Sequence, residues 1–414
     1  MNVFFPDGQV QVMSFEEVIE NMEKRYPLSV GGHAALPDTA MEDYGKCAKC
    51  HKDGCKLHCS RCNVTGVGNF RVFYCSQECQ KADWGCHRNI CRPRQQLARA
   101  VTIFTEIWDM FEKKTYSKPD VVVDEADGVI QTVVQHPDLD RRCWTGESLI
   151  KMFPGNNIGS SESVQLAVLY DQWCAGPMVA AFDIVKMFLG AISIHMELVE
   201  VTVEDPSIIV KCTGGHSLFG IGWYMVLRVV LPSRESFAID IAGPQYGWKE
   251  RLYVWDTYRT HRLMKATAAL SLEACRSGDN AECSLLPHTG PRWVTRLLRQ
   301  NIAKELESTL SKTIEAENKT TMGLLSLSPS DFAKAKQHLI EAATHCLDKT
   351  MADMRSKNIG RFYFDEQFNA CVTATVEEGK RFNQIWLSAE EVKKVRKNTR
   401  LKRVWSQKLA KFSA

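Results

Sequence analysis

The chain carries no internal repeat and no long low-complexity tract, and its first residues, Met1-Asn-Val-Phe-Phe-Pro6-Asp7, offer neither the basic stretch nor the apolar core of a secretory signal. Entry into an oxidising compartment is therefore not expected, and the cysteines should be mostly reduced. The polar bias that keeps chains disordered is missing too: 44% of the residues are hydrophobic and 24% charged, the balance of an ordinary globular protein. The nearest approach to a membrane span, residues 178–199, holds Asp183 and Lys186 near its middle. Each would cost about 2.5 to 3.5 kcal/mol at a bilayer centre. We read the segment as a buried helix whose two charges, three residues apart, can pair.

What is present is length and cysteine. At roughly 100 to 200 residues per domain, 414 residues suggest two or three folding units. Sixteen cysteines occur, nine of them between Cys47 and Cys91. In a reducing cell such clustering points to metal ligation rather than disulfides. Cys143, Cys174, Cys212, Cys275, Cys283, Cys346 and Cys371 are scattered, and each reads as a small buried apolar residue.

The cluster resolves into four pairs: Cys47-Ala-Lys-Cys50, Cys59-Ser-Arg-Cys62, Cys75-Ser-Gln-Glu-Cys79 and His87-Arg-Asn-Ile-Cys91. Two intervening residues let a tight turn aim both sulfurs at one ion, whereas three put both ligands on one face of a helix. The first two pairs are thus expected on turns and the last two on short helices. Eight ligands make two closed tetrahedral sites. With no position open for water, the ions are expected to be structural. So short a stretch has almost no core of its own, so metal must supply its folding free energy, on the order of 10 to 16 kcal/mol for a structural zinc.

The run from Tyr74 through Ala82-Asp83-Trp84-Gly85-Cys86-His87 to Cys91 resembles the second half of a MYND finger. The resemblance implies interleaved sites, one zinc on Cys47, Cys50, Cys75 and Cys79 and the other on Cys59, Cys62, His87 and Cys91. Cys55, beside His58, is an alternative to Cys59, although Cys59 and Cys62 have the better turn spacing. Cys86 adjoins His87 and should point about 100° away, as a bystander. The segment from Cys62 to Cys75 is long for the family and implies an extended hairpin around Gly66 and Gly68. MYND fingers take short proline-containing peptides, and the resemblance implies such a contact at Gln80 and Trp84. Residues four apart form one helical surface, with an amide for hydrogen bonding and an indole for apolar contact. The alternative for Trp84 is packing of the finger against the rest of the chain.

Zinc changes the charge balance. The formal net charge of +3 counts cysteines as neutral, and seven thiolates with two divalent ions bring the total to about zero, which offers no case for nucleic-acid binding.

Beyond Cys91, Leu97, Val101, Phe104, Trp108 and Phe111 recur in steps of four and three, an amphipathic helix expected to dock the finger onto the body. Residues 164–200 read as helical, interrupted at Gly176-Pro177. Residues 208–212, 223–231 and 237–241 read as strands. Ser328-Pro329 starts a helix carrying Phe332, Ala335, Leu339, Ala343 and Cys346. Ser388-Ala-Glu-Glu391 is a capping box, flanked by Leu387 and Val392, for an expected last helix. Residues 388–414 hold nine lysines and arginines against Glu390 and Glu391. They offer either an import signal, a surface for an acidic partner, or a solvated face.

His216, opening one strand, and Asp240, ending the next, resemble the His-Asp half of papain-like and transglutaminase-like folds, with Cys143 or Cys174 as the thiol. A turn former before Gly243-Pro244 is the plainer reading of Asp240, and a satisfied strand-edge histidine that of His216. Gly215-His216-Ser217-Leu218 departs at its first and last positions from the Asn-His-Ser-Cys-type segment of the SET methyltransferases that some MYND proteins contain.

The expectation is thus an α+β protein in which a small two-zinc finger with crossed ligand pairs adjoins a larger, mostly helical body with a small sheet. Its units are an N-terminal extension (1–46), the finger (47–91), a helical and stranded body (92–260) and a helical C-terminal region (261–414). Its partner is a protein bound through the finger, with no membrane, in the nucleus or cytoplasm. A cysteine enzyme, or an inactive relative of one, is the alternative.

Overall fold

The computed structural model describes residues 2–4, 10–12, 45–61, 71–117, 120–126, 129–135, 143–145, 150–155, 158, 161–171, 180–203, 208–213, 224–273, 291–317, 319–356, 361–365, 370–375 and 387–388. It is a mixed α+β structure.

The organising element is helix α1 (Gln77–Lys114), 38 residues long and so spanning about 57 Å. Ser76 caps it by accepting from the Cys79 backbone N–H at 3.3 Å, Glu78 faces the positive end of the peptide dipoles, and Lys113 and Lys114 stand at the negative end. The apolar stripe is where the sequence places it, since Leu97, Val101, Phe104, Trp108 and Phe111 are all buried. The separate short helices expected for the last ligand pairs are instead one element. Cys75 lies just before the cap, and the helix continues through His87, Cys91 and Pro93 into the body. Pro93 removes only the bond to the Asn89 carbonyl, four residues back on a solvent-exposed stretch where water can replace it.

Against α1 pack α3 (Phe182–Leu189) and α7 (Pro329–Ser356), and α7 also pairs with α5 (Pro291–Ala316). The start of α7 is the one expected: the Asp331 N–H donates to Ser328 Oγ at 3.2 Å, and Ala335, Leu339 and Ala343 are buried. Beside the helices lies a five-stranded antiparallel sheet, ordered Leu252–Val254, Ser236–Ile239, Tyr224–Val230, His195–Val203, Leu263–Ser271. Val226 faces Val199 and Leu227 faces Ile239 across it, and these residues are fully buried.

One helix expected from the sequence is corrected. Residues 164–200 form α2 (Glu162–Tyr170) and α3, followed by the strand His195–Val203; residues 172–179, with Gly176-Pro177, lie outside those described. The chain turns at Gly190, where a Cβ would come within 2.5 Å of the Lys186 carbonyl oxygen. Beyond it Val199, Val201 and Val203 suit a strand hydrogen-bonded on both sides. Lys186 pairs with Glu273 at 2.8 Å.

The three strands expected from composition appear as Ile209–Thr213, Tyr224–Val230 and Ser236–Ile239. The first joins the hairpin Asp120–Ala126 and Val129–Gln135 in a separate three-stranded sheet. A four-stranded sheet brings Cys143–Thr145 to Arg361–Asp365, Ala370–Thr375 and Leu387–Ser388, so Leu387 and Ser388 form a strand where a staple and cap were expected. Residues 389–414, with their basic run, lie outside the described residues. Among the described residues no helix is long and apolar enough to cross a membrane.

Candidate metal centre

The finger is built from three short pieces clasped to the start of α1. Leu57–His58 pairs antiparallel with Phe73–Tyr74, and Gly45 and Cys55 exchange two backbone hydrogen bonds of 2.8 Å. Ala48 N–H donates to the Phe73 carbonyl at 2.9 Å, and His51 N–H to the Cys47 carbonyl at 2.9 Å, closing the turn that carries Cys47 and Cys50. His51, at φ 61°, supplies left-handed backbone at the end of that turn, and Gly54, at φ +70°, supplies it in the bend before Cys55. Gly45 is required by space: a Cβ there would stand 2.5 Å from the Phe73 ring.

Two groups of ligand-type side chains converge on this frame. The sulfurs of Cys47, Cys50, Cys75 and Cys79 all lie within 4.8 Å of one another, with Cys50 to Cys75 and Cys75 to Cys79 both at 3.4 Å. Cys59, His87 and Cys91 form the second group within the same limit, all three buried, with the two sulfurs 3.8 Å apart. Cys62 lies outside the described residues. A zinc–sulfur bond of about 2.3 Å gives a tetrahedron edge of about 3.8 Å, so the donor chemistry and the spacing fit zinc. Cys47 and Cys50 thus group with Cys75 and Cys79, and Cys59 with His87 and Cys91.

Electrostatics in the four-sulfur group follow from crowding. Burial opposes ionisation of Cys47, but backbone N–H groups at Cys50, Cys75 and Lys49 outweigh it and bring the thiol down to about 6. Cys75 is pushed up to about 12, chiefly by its hydrogen bonds with the Cys50 and Cys79 sulfurs. Thiols this close cannot all ionise on their own; a divalent cation among them supplies the compensating charge.

The bystanders separate cleanly. Cys55 is buried but turns its thiol to the Lys52 carbonyl at 3.1 Å and belongs to neither group, while Cys59 lies in the second. His58 directs Nδ1 at the Lys56 carbonyl, 3.2 Å away. Cys86 is exposed. Tyr74, fully buried, donates its hydroxyl to Asp83 at 2.9 Å and sets its ring edge-on to His87. That brace was not anticipated, although the Ala82-Asp83-Trp84 run carried its acid.

Gln80 and Trp84 lie one turn apart on α1, both partly exposed. The indole rests 6.1 Å from the His87 ring on one side and receives the Arg61 guanidinium 5.9 Å from its centroid. Trp84 therefore packs on its own finger.

The enzyme residues are not assembled among the described residues. Asp240 is fully buried and accepts from the Tyr258 hydroxyl at 3.0 Å. Cys143 lies in a strand of the four-stranded sheet, and Cys174 and His216 lie outside the described residues.

The arrangement defines a zinc-binding finger with crossed ligand pairs at the head of a long helix. The family model described as MYND finger matches residues 47–91. That stretch is accordingly a MYND finger, a zinc-binding protein–protein interaction domain. The chain is similar to Tudor domain-containing protein 1 of Mus musculus, 45% identical over 49 residues, 11% of this chain and 4% of that protein. It is also similar to Dauer abnormal formation protein 25 of Caenorhabditis elegans, 36% identical over 55 residues, 13% of this chain and 12% of that protein. The chain thus spans a small fraction of the length of these curated relatives, and the likeness lies in the finger, leaving the remainder unassigned. No solved structure matches the chain.

Proposed function

We propose that this chain is an adaptor, acting in the nucleus or cytoplasm, whose finger presents Gln80 and Trp84 to short proline-containing peptides of partner proteins. Two structural zinc ions would hold the finger, one on Cys47, Cys50, Cys75 and Cys79 and one on Cys59, Cys62, His87 and Cys91. Residues 1–46 form an extension, 47–91 the finger, 92–260 and 261–414 the body it serves. The near-neutral charge of the zinc-loaded chain speaks against nucleic acid as the partner.

The observation that carries the reading is the placement of Gln80 and Trp84, half-exposed and one turn apart, between the ligand-type residues Cys79 and His87 on one helix. Metal on either side would fix the helix and pre-pay the ordering of both side chains, which is how rigid platforms gain affinity. The zinc itself supplies no chemistry beyond cross-linking.

Two measurements test this. Elemental analysis of the purified full chain should find two equivalents of zinc, and Cys62→Ser should lose one. Calorimetric titration with a proline-containing peptide should show binding that weakens by tenfold or more in Trp84→Ala, the usual scale for a central aromatic anchor. Fewer than two equivalents would sink the metal assignment, and unchanged affinity in both Trp84→Ala and Gln80→Ala would sink the peptide site.

A further inference from the structure

The finger holds more cations than acids. Residues 47–91 contain seven lysines and arginines and three acids. Each acid is already engaged: Asp53 pairs with Lys46 at 3.6 Å, Asp83 accepts from buried Tyr74, and Glu78 is held by the Ser76 hydroxyl and its own backbone N–H, with Lys81 nearby.

The cations are not spread evenly. Arg61 lies over the Trp84 ring. Lys81 and Arg88, both exposed, stand three residues before and four after Trp84 on α1, the two spacings that share a helical face. Among the described residues neither Arg61 nor Arg88 has an acidic partner. Arg61 also acts on a charge of its own sign, buried Arg99, whose pKa is lowered first by burial and then by Arg61.

We propose that the peptide accepted at Gln80 and Trp84 carries an acidic residue flanking the segment that packs on the indole, and that Arg61 and Arg88 read it. This rests on the peptide-site reading above. A carboxylate placed beside the indole meets a guanidinium already held over the ring, so part of the ordering cost is met before binding. A peptide fits better than a nucleic acid because the platform offers one indole and one amide, rather than a row of stacking rings along a basic groove.

The test uses the full zinc-loaded chain and three synthetic peptides sharing one Pro-Pro-Leu centre, flanked by aspartate, serine or lysine, with binding followed by fluorescence anisotropy. The aspartate peptide should bind about three to ten times more tightly than the serine peptide at low salt, and the lysine peptide most weakly, as suits a few exposed charge pairs. The margin should shrink as salt is raised. Arg61→Glu, at an exposed position, should invert the order toward the lysine peptide, an outcome that misfolding cannot mimic.

Equal affinity for all three peptides would overturn the acidic preference while leaving the peptide site standing. Absence of binding by every peptide would overturn both. An unchanged order in both Arg61→Glu and Arg88→Glu would also overturn it, as would tighter binding of a thymidine oligonucleotide than of the aspartate peptide.

Discussion

Cys86 and Cys91 show how finely position decides the fate of a thiol. Both lie on α1, yet Cys86 is exposed and Cys91 fully buried beside Cys59 and His87. Cys86→Ser should leave the zinc content unchanged, whereas Cys91→Ser should cost one equivalent by elemental analysis. That contrast was legible in the sequence, because 100° per residue separates neighbours on any helix. The need for Gly45 was not legible, since it arises from the Phe73 ring reaching across from another strand. Gly45→Ala should destabilise the finger by about 1 to 3 kcal/mol, the usual cost of overpacking, measured as a lower chelator concentration for zinc release. In the body, buried Glu197 sits against Arg228 at 2.8 Å and His195 at 3.2 Å. Burial alone would raise its pKa, but the His195 hydrogen bond and the Arg228 charge outweigh that and lower it. The stability it contributes is therefore full above the unfolded carboxylate pKa of about 4.3 and is lost as pH falls through the lower folded value. Urea titrations below pH 5 should show the gap between wild type and Glu197→Gln narrowing with acid; a constant gap would contradict the assignment.

At the level of elements, α1 carries the main lesson. Its two halves were readable separately, the first from ligand spacing and the second from the apolar stripe, but their fusion was not, because neither pattern reaches across Pro93, which lies inside the helix. The body half has its own anchors: Arg94 pairs with Glu235, and Arg99 donates to the Leu325 and Leu327 carbonyls at 2.9 and 2.7 Å. Proline is also a favourable first residue of a helix. Stripping the metal with a chelator should therefore expose the amides of residues 77–92 to hydrogen exchange while those of residues 97–111 stay protected. Loss of protection through Phe111 would show instead that the two halves melt together. The strand His195–Val203 was misread for a different reason. A continuous apolar run fits a buried helix and a buried strand equally well, and only pairing on both sides decides.

Across the whole molecule, the finger was far more legible than the body. Ligand geometry is local and stereochemically narrow, so Cys47 through Cys91 could be grouped from spacing and resemblance. The sheets depend on contacts between distant segments, such as Arg361–Asp365 with Cys143–Thr145, which no local pattern announces. Long-range polar links hold the helical layer as well: Arg251 grips Asp109 at 2.9 and 3.2 Å, and Arg299 joins buried Glu112 while donating to the Thr115 carbonyl at 2.6 Å. Arg299→Ala would leave Glu112 buried without its cation and should cost about 3 to 5 kcal/mol, read as a lower denaturant midpoint.

Because one unbroken rod joins the finger to the body, a protein captured as proposed would be held at a set bearing and not on a tether. A single alanine inserted after Pro93 would swing that bearing by about 100° and advance it by about 1.5 Å. Every chemical contact at Trp84 would survive while the cargo faced another way.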